Sequence, residues 1–271
     1  MKKKPLIILT GPTAVGKTKA SIGLAKAVDG EIISADSMQV YRHMDIGSAK
    51  IKPEEMEGIP HHLIDVLEPD DEFHVVKFQQ LAQKAMREIW ERGHIPIVTG
   101  GTGFYIQALL YDIDFDENEK EDACRKELEA YAREHGAEAL HEKLALVDPA
   151  SAEMIHPNNI KRVIRALEFY EQTGKRISEH NETQRQRESP YAFAYFVLTD
   201  DRAHLYERIN RRVDQMIEEG LVNEVQALKD KGYTKQLVSM QGLGYKEILD
   251  YLDGNCTLEE AIYTIKRDTR H

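Results

Sequence analysis

Residues 6–28 read LIILTGPTAVGKTKASIGLAKAV. Leu6 to Leu9 form a short apolar run that predicts a buried strand. Lys17 to Val28 predict a helix with Ala20, Leu24 and Ala27 on one face. Between them, Gly11 to Thr18 match G-x-x-x-x-G-K-[ST], a loop whose backbone N–H groups cradle phosphates. Strand, glycine-rich loop and helix form the context that motif requires. The helix N-terminus adds to the anion site. Lys17 brings a point charge, and Thr18 a hydroxyl suited to a phosphate-bound Mg²⁺. Gly11, Pro12, Thr13, Ala14, Val15, Gly16, Lys17 and Thr18 are therefore expected to hold a phosphate or diphosphate. The loop does not say whose phosphates they are.

The composition is that of a soluble protein: 271 residues, 41% hydrophobic and 31% charged. No apolar run reaches membrane-spanning length. The basic start, Met1-Lys-Lys-Lys4, leads straight into the phosphate loop, which argues against a signal peptide. Cys124 and Cys256 lie far apart, which predicts a reducing, cytoplasmic setting and no zinc site. A formal net charge of −11 disfavours non-specific nucleic-acid binding, but leaves room for a local basic face.

Further along, Glu31 to Ala35 predict a second strand ending in Asp36-Ser-Met-Gln39. Asp36 is either a crevice residue at a strand's carboxyl end or a turn and cap residue. His61 and His62 suggest metal, but no second ligand cluster accompanies them, so a structural role is expected. Val75 to Arg92 predict an amphipathic helix with Phe78, Leu81, Ala82, Ala85, Met86 and Ile89 inward. Its Trp90 reads as core. Ile95 to Thr99 predict a third strand, followed by a second glycine turn, Gly100 to Tyr105. That turn lacks the acid that would sit beside Mg²⁺ in an ATP-hydrolysing enzyme.

Residues 112–190 change character and predict a helical insertion. Glu119 to Leu146 read as one helix. Another is capped at Asn158 or Asn159, with Lys161, Arg162 and Arg165 opposite its apolar face. Tyr191 to Thr199 return as a strand, and Asp201 to Lys231 as a helix. Arg208, Arg211 and Arg212 are either a solvated face or a clamp for phosphate oxygens. Thr257 and Glu260 form a capping box for a final helix. The expected architecture is α/β: a P-loop, nucleoside-triphosphate-hydrolase-like core with a parallel sheet over residues 1–111 and 191–271, interrupted by the insertion 112–190.

Several stretches together resemble the bacterial tRNA dimethylallyltransferases, also called tRNA isopentenyltransferases. They are GPTAVGKT (11–18), SADSMQVYRHMDIGSAK (34–50), PHHLID (60–65), VTGGTGFY (98–105), NNIKRVIRALE (158–168), RINRRVDQM (208–216) and GLGYKEI (242–248). The resemblance implies transfer of a dimethylallyl group from dimethylallyl diphosphate to N6 of the adenosine 3′ of the anticodon in tRNA. It implies that the loop and Lys17 hold that diphosphate with Mg²⁺ rather than ATP, and that Asp36 is the general base. Asp36, Ser37, Met38, Gln39, Thr102, Arg125, Asn159 and Arg162 would meet the RNA. Arg208 and Arg212 are assigned to the diphosphate from their helical spacing. A monomer without membrane contact is expected. The family pattern runs on past His271 with a basic, aromatic segment, so either a truncated C-terminus or an absent tail is expected. The competing readings are a dimethylallyltransferase acting on free adenine nucleotides, a small-molecule kinase and a silent RNA-binding module.

Overall fold

The computed structural model describes residues 3–113, 122–185 and 187–270. They form two compact units: Met1–Leu110 with Pro190–His271, and Tyr111–Ser189.

The first unit is built on five strands: β1 (Lys4–Thr10), β2 (Gly30–Ser34), β3 (His61–His62), β4 (Ile95–Gly100) and β5 (Tyr191–Val197). Their order is β3-β2-β4-β1-β5 and every pairing is parallel. Ile32 and Ile33 of β2, Ile97 and Val98 of β4, and Leu6 and Ile8 of β1 are fully buried. Parallel strands covered on both faces read as such continuous apolar runs. β3 has only two residues, too few for any periodic signal, and was not foreseen. Because all strands run the same way, the loops that follow β1, β2, β4 and β5 emerge at one edge of the sheet.

Helices α1 (Lys17–Val28), α2 (Val75–Glu91) and α3 (Gly103–Leu110) belong to this unit. The buried stripe of α1 is Ser21, Ile22 and Ala25, not Ala20, Leu24 and Ala27. The large Ile22 fills the space over Ile32 and Ile97, while Leu24 is only partly buried. In α2, Phe78, Ala82, Ala85, Met86 and Ile89 are buried as expected. Phe78 stacks on Tyr105 of α3, with ring centroids 4.8 Å apart. Trp90 is half-buried and donates to the Pro5 carbonyl at 2.9 Å, tying α2 to β1.

The second unit contains α4 (Asp122–Val147), α5 (Pro149–Met154), α6 (Ile160–Thr173) and α7 (Ile177–Arg185). The predicted single helix is broken: Gly136 has φ 89° and ψ 168°, outside helical geometry. Residues 119–121 of that prediction lie outside the described residues. Leu140 and Leu144 pack against Val163, Ile164 and Leu167 of α6. Asp148 is buried; it accepts from Ser151 at the start of α5 and from the Ser178 hydroxyl of α7 at 2.6 Å. Near the ends of this unit, Arg187 donates to the Asp112 carbonyl at 2.9 Å.

Back in the first unit, the predicted helix 201–231 is two: α8 (Arg202–Glu218) and α9 (Leu221–Asp230). Gly220 at φ 103° separates them, a conformation that glycine adopts without steric cost. The chain closes with α10 (Tyr245–Leu252) and α11 (Leu258–Thr269). The Thr257 hydroxyl accepts from the Glu260 amide and Glu260 accepts from the Thr257 amide, the expected capping box.

Candidate active site

The loop after β1 bends sharply. Gly11, Ala14 and Gly16 have φ of 150°, 64° and 99°. A Cβ on Gly11 would lie 2.5 Å from the Leu198 carbonyl oxygen, so β5's exit requires glycine there. Gly16 then opens α1, with Lys17 and Thr18 in its first turn. Lys17 Nζ donates to the Gly11 and Pro12 carbonyls at 2.9 and 2.8 Å, so the cation sits inside the curve of the loop.

β2 delivers Asp36 beside it. Asp36 Oδ1 accepts from the Met38 amide at 2.8 Å and more weakly from that of Gln39 at 3.4 Å. The alternatives read from sequence are thus both realised: Asp36 organises a turn, and it faces the crevice. Its Oδ2 receives no hydrogen bond from the described residues. β4 approaches closely from the other side. The Ala35 amide donates to the Thr99 carbonyl at 2.7 Å. A Cβ on Gly100 would lie 2.4 Å from the Ala35 oxygen.

These loops and α8 enclose a cavity of about 420 Å³ lined by Thr13, Ala14, Gly16, Lys17, Thr18, Asp36, Gln39, Ala49, Gly101, Arg208, Arg211, Arg212 and Gln215. Desolvation lowers the Lys17 pKa; Asp36 opposes that shift and Arg212 adds to it. Burial likewise lowers Arg212, again with Asp36 opposing. A carboxylate therefore stands within the field of two desolvated cations. Arg208 lies 3.5 Å from Asp200, the acid that follows β5. A smaller cavity of about 60 Å³ adjoins, with Ser34, Asp36, Gln39, His61 and Thr99 among its walls. The buried Thr99 hydroxyl is unpaired.

Of the residues singled out in sequence, Thr13, Ala14, Gly16, Lys17, Thr18, Asp36, Gln39, Arg208 and Arg212 share the large cavity. Gly11, Pro12 and Val15 shape the loop without lining it. Ser37, Met38 and Thr102 line neither cavity; Met38 packs on Gly242, where a Cβ would come within 2.3 Å of its Cε. Arg125, Asn159 and Arg162 belong to the second unit. Arg162 is exposed there, Asn159 stands at the N-cap position of α6 with no capping bond from its side chain, and Arg125 is paired with buried Glu168 at 3.1 Å. Arg211 and Gln215 were not assigned to the site. Spacing of 208, 211, 212 and 215 on one helix could have found both. The histidine pair is structural: His62 Nε2 lies 2.7 Å from Glu31, and His61 Nδ1 2.8 Å from the Ile59 carbonyl. Among the described residues no cluster of three or more His, Cys, Asp or Glu could hold a metal ion.

A five-stranded parallel sheet with a glycine-rich loop between its first strand and first helix defines a P-loop-like α/β protein. The family model described as IPP transferase matches residues 39–271, and that described as isopentenyl transferase matches residues 4–68. The chain belongs to the IPP transferase family. It is 64% identical over 268 residues to the tRNA dimethylallyltransferase of Lachnoclostridium phytofermentans, covering 99% of this chain and 86% of that one. It is 54% identical to that of Carboxydothermus hydrogenoformans, covering 98% and 85%. Among solved structures, the full-length tRNA isopentenylpyrophosphate transferase of Bacillus halodurans aligns with TM-score 0.72 at 51% identity, covering 99% of this chain and 84% of that one. A eukaryotic dimethylallyltransferase acting on tRNA aligns with TM-score 0.85 at 33% identity, covering 98% and 67%.

Proposed function

We propose that this protein is a tRNA dimethylallyltransferase that moves a dimethylallyl group from dimethylallyl diphosphate to N6 of the adenosine 3′ of the anticodon, position 37. The observation that carries the reading is Asp36 sharing one cavity with Lys17, Thr18, Arg208 and Arg212. The C1–O bond to diphosphate breaks as the N6–C1 bond forms. Diphosphate leaves with the electron pair, and one N6 proton passes to Asp36. The amine is a weak nucleophile because its lone pair is delocalised into the ring, and attack makes it acidic. A carboxylate with a free oxygen within hydrogen-bond reach can accept the proton. Loop amides, Lys17, Arg208 and Arg212 face the charge that grows on the leaving group.

Mg²⁺ suits this donor set. It usually keeps several waters and binds through one or two protein oxygens plus substrate phosphates, and the site offers the exposed Thr18 hydroxyl beside the loop. When bound, it would neutralise diphosphate oxygens. The adenine must leave its stack to enter, which costs less in a single-stranded loop than in a duplex. Arg125, Asn159 and Arg162 are assigned to the anticodon stem-loop, with Ser37, Met38, Gln39 and Thr102 near the base. The reading places a monomer in the cytoplasm. Cys124 and Cys256 are unpaired, which fits a reducing compartment. No described helix is long and apolar enough to cross a membrane.

Incubation with labelled dimethylallyl diphosphate, Mg²⁺ and unmodified tRNA, with AMP and ATP as parallel acceptors, tests the reading. Label is expected on the adenosine beside the anticodon. Label on free nucleotide alone would replace the acceptor, and ATP-dependent phosphorylation without transfer would replace the reaction.

A further inference from the structure

Residues 45–49 reach the wall of the site at Ala49, and an acid from a different element holds them. Glu224, in the first turn of α9, accepts from three successive amides: Asp45 at 2.9 Å, Ile46 at 2.8 Å and Gly47 at 3.1 Å. It accepts a fourth bond from the Tyr245 hydroxyl at 2.7 Å. Successive amides converging on one carboxylate make a concave anion seat, and hydrogen bonds to an ionised acceptor are about twice as strong as neutral ones. Tyr245 is fully buried. Gly47 must be glycine for the ring to lie there, since a Cβ would approach it to 2.6 Å. On the far side of this segment, the Gln39 amide group reaches the Ser48 and Ala49 carbonyls, both at 3.5 Å, while Ser34 donates to Gln39 Oε1 at 3.0 Å. Gln39 and Ala49 line the cavity; Glu224 and Tyr245 do not. The chain of contacts runs from α9 through the 45–49 backbone to a side chain three residues from Asp36.

We propose that Glu224, braced by Tyr245, is a positioning residue that sets Gln39 and the 45–49 wall on the acceptor side of the pocket. The acceptor assignment rests on the functional reading above. Lys50 anchors the same segment independently, donating to the Tyr41 carbonyl at 2.7 Å and to Asp45 and Asp65, each at 2.6 Å. Loss of Glu224 therefore loosens the wall without releasing it.

The test compares wild type, Glu224→Ala and the milder Tyr245→Phe by steady-state transfer and by amide hydrogen exchange of residues 39–50. The expected result for Glu224→Ala is at least a tenfold loss of kcat/KM for tRNA. KM for dimethylallyl diphosphate stays within about twofold, and exchange at 45–49 becomes faster. Tyr245→Phe should show the same split at smaller size, and it serves alone if Glu224→Ala does not fold. Unchanged exchange, or equal loss for both substrates, overturns the proposal. A wild-type protein that transfers nothing to tRNA overturns the functional reading instead, and the exchange comparison still judges the positioning role.

Discussion

Asp36→Asn separates two jobs done by one side chain. Asparagine keeps an oxygen for the Met38 amide, so the turn should survive, but it cannot accept the N6 proton. Turnover is expected to fall by about 10²-fold or more, with tRNA affinity within about threefold. Filter binding beside single-turnover rates would show it, and joint loss of both would move Asp36 from proton transfer to recognition. Lys17→Ala should raise KM for dimethylallyl diphosphate at least tenfold and leave tRNA affinity unchanged. Because Lys17 also ties the Gly11 and Pro12 carbonyls, a lower Tm should accompany it. Lys17 was legible in sequence because its signal, a glycine spacing, is local; the acid directly after an apolar run left Asp36 open between crevice and turn, and only the family resemblance singled it out. Arg211 was read only within the open alternative of clamp or solvated face, and Gln215, at the same helical spacing, carries no charge to single it out.

Between elements, one constraint is Glu31 on β2, buried with only 2% of its side chain exposed. Arg92 binds it through two bonds of 2.8 Å, and His62 and His94 approach at 2.7 Å. One carboxylate thus ties β2 to β3 and to the turn between α2 and β4. The Arg92 bonds first, then those of His62 and His94, outweigh burial and hold its pKa down at about 2 against an ordinary 4.5. A depressed carboxylate stabilises the fold fully above its unfolded value. Stability should therefore be lost as pH falls from about 4.5 towards 2, by up to about 3 kcal/mol, less solvent screening around half-exposed Arg92. Thermal melts of Glu31→Gln should be lower at pH 7 and flatter across that window; an unaltered acid limb would refute the link. Gly100→Ala should also destabilise, because its Cβ meets Ala35 backbone rather than a side chain that can yield. Such ties join residues up to 63 positions apart, beyond any windowed pattern. The same limit hid the two-residue β3. Helix breaks at Gly136 and Gly220 were missed because the flanking sequences keep helical periodicity across them.

For the molecule as a whole, a net charge of −11 means that tRNA affinity must come from local basic groups. Lys161 and Arg162 are exposed at the start of α6. Replacing both with glutamine should weaken tRNA binding uniformly across sequences and reduce the slope of log affinity against log salt by about one to two. Binding isotherms at several salt concentrations decide this; an unchanged slope would remove α6 from the interface. The α/β character was readable from the glycine loop, the short apolar runs and the helical periodicities around them, and the helical interruption from the change to charged sequence without a strand pattern. The helix that brings Arg208 and Arg212 to the cavity was read from their spacing, whereas the breaks that divide the long helical stretches were not.

The Arg187–Asp112 hydrogen bond has a kinetic consequence. β1 must pair with β5, which arrives only after the intervening helices have been made. If residues 111–189 fold first, their pinned ends turn a loop of about eighty residues into a short hinge. That removes roughly 2 kcal/mol of closure entropy from the search for the last strand. The order of assembly would then be set by the interruption rather than by the sheet it interrupts.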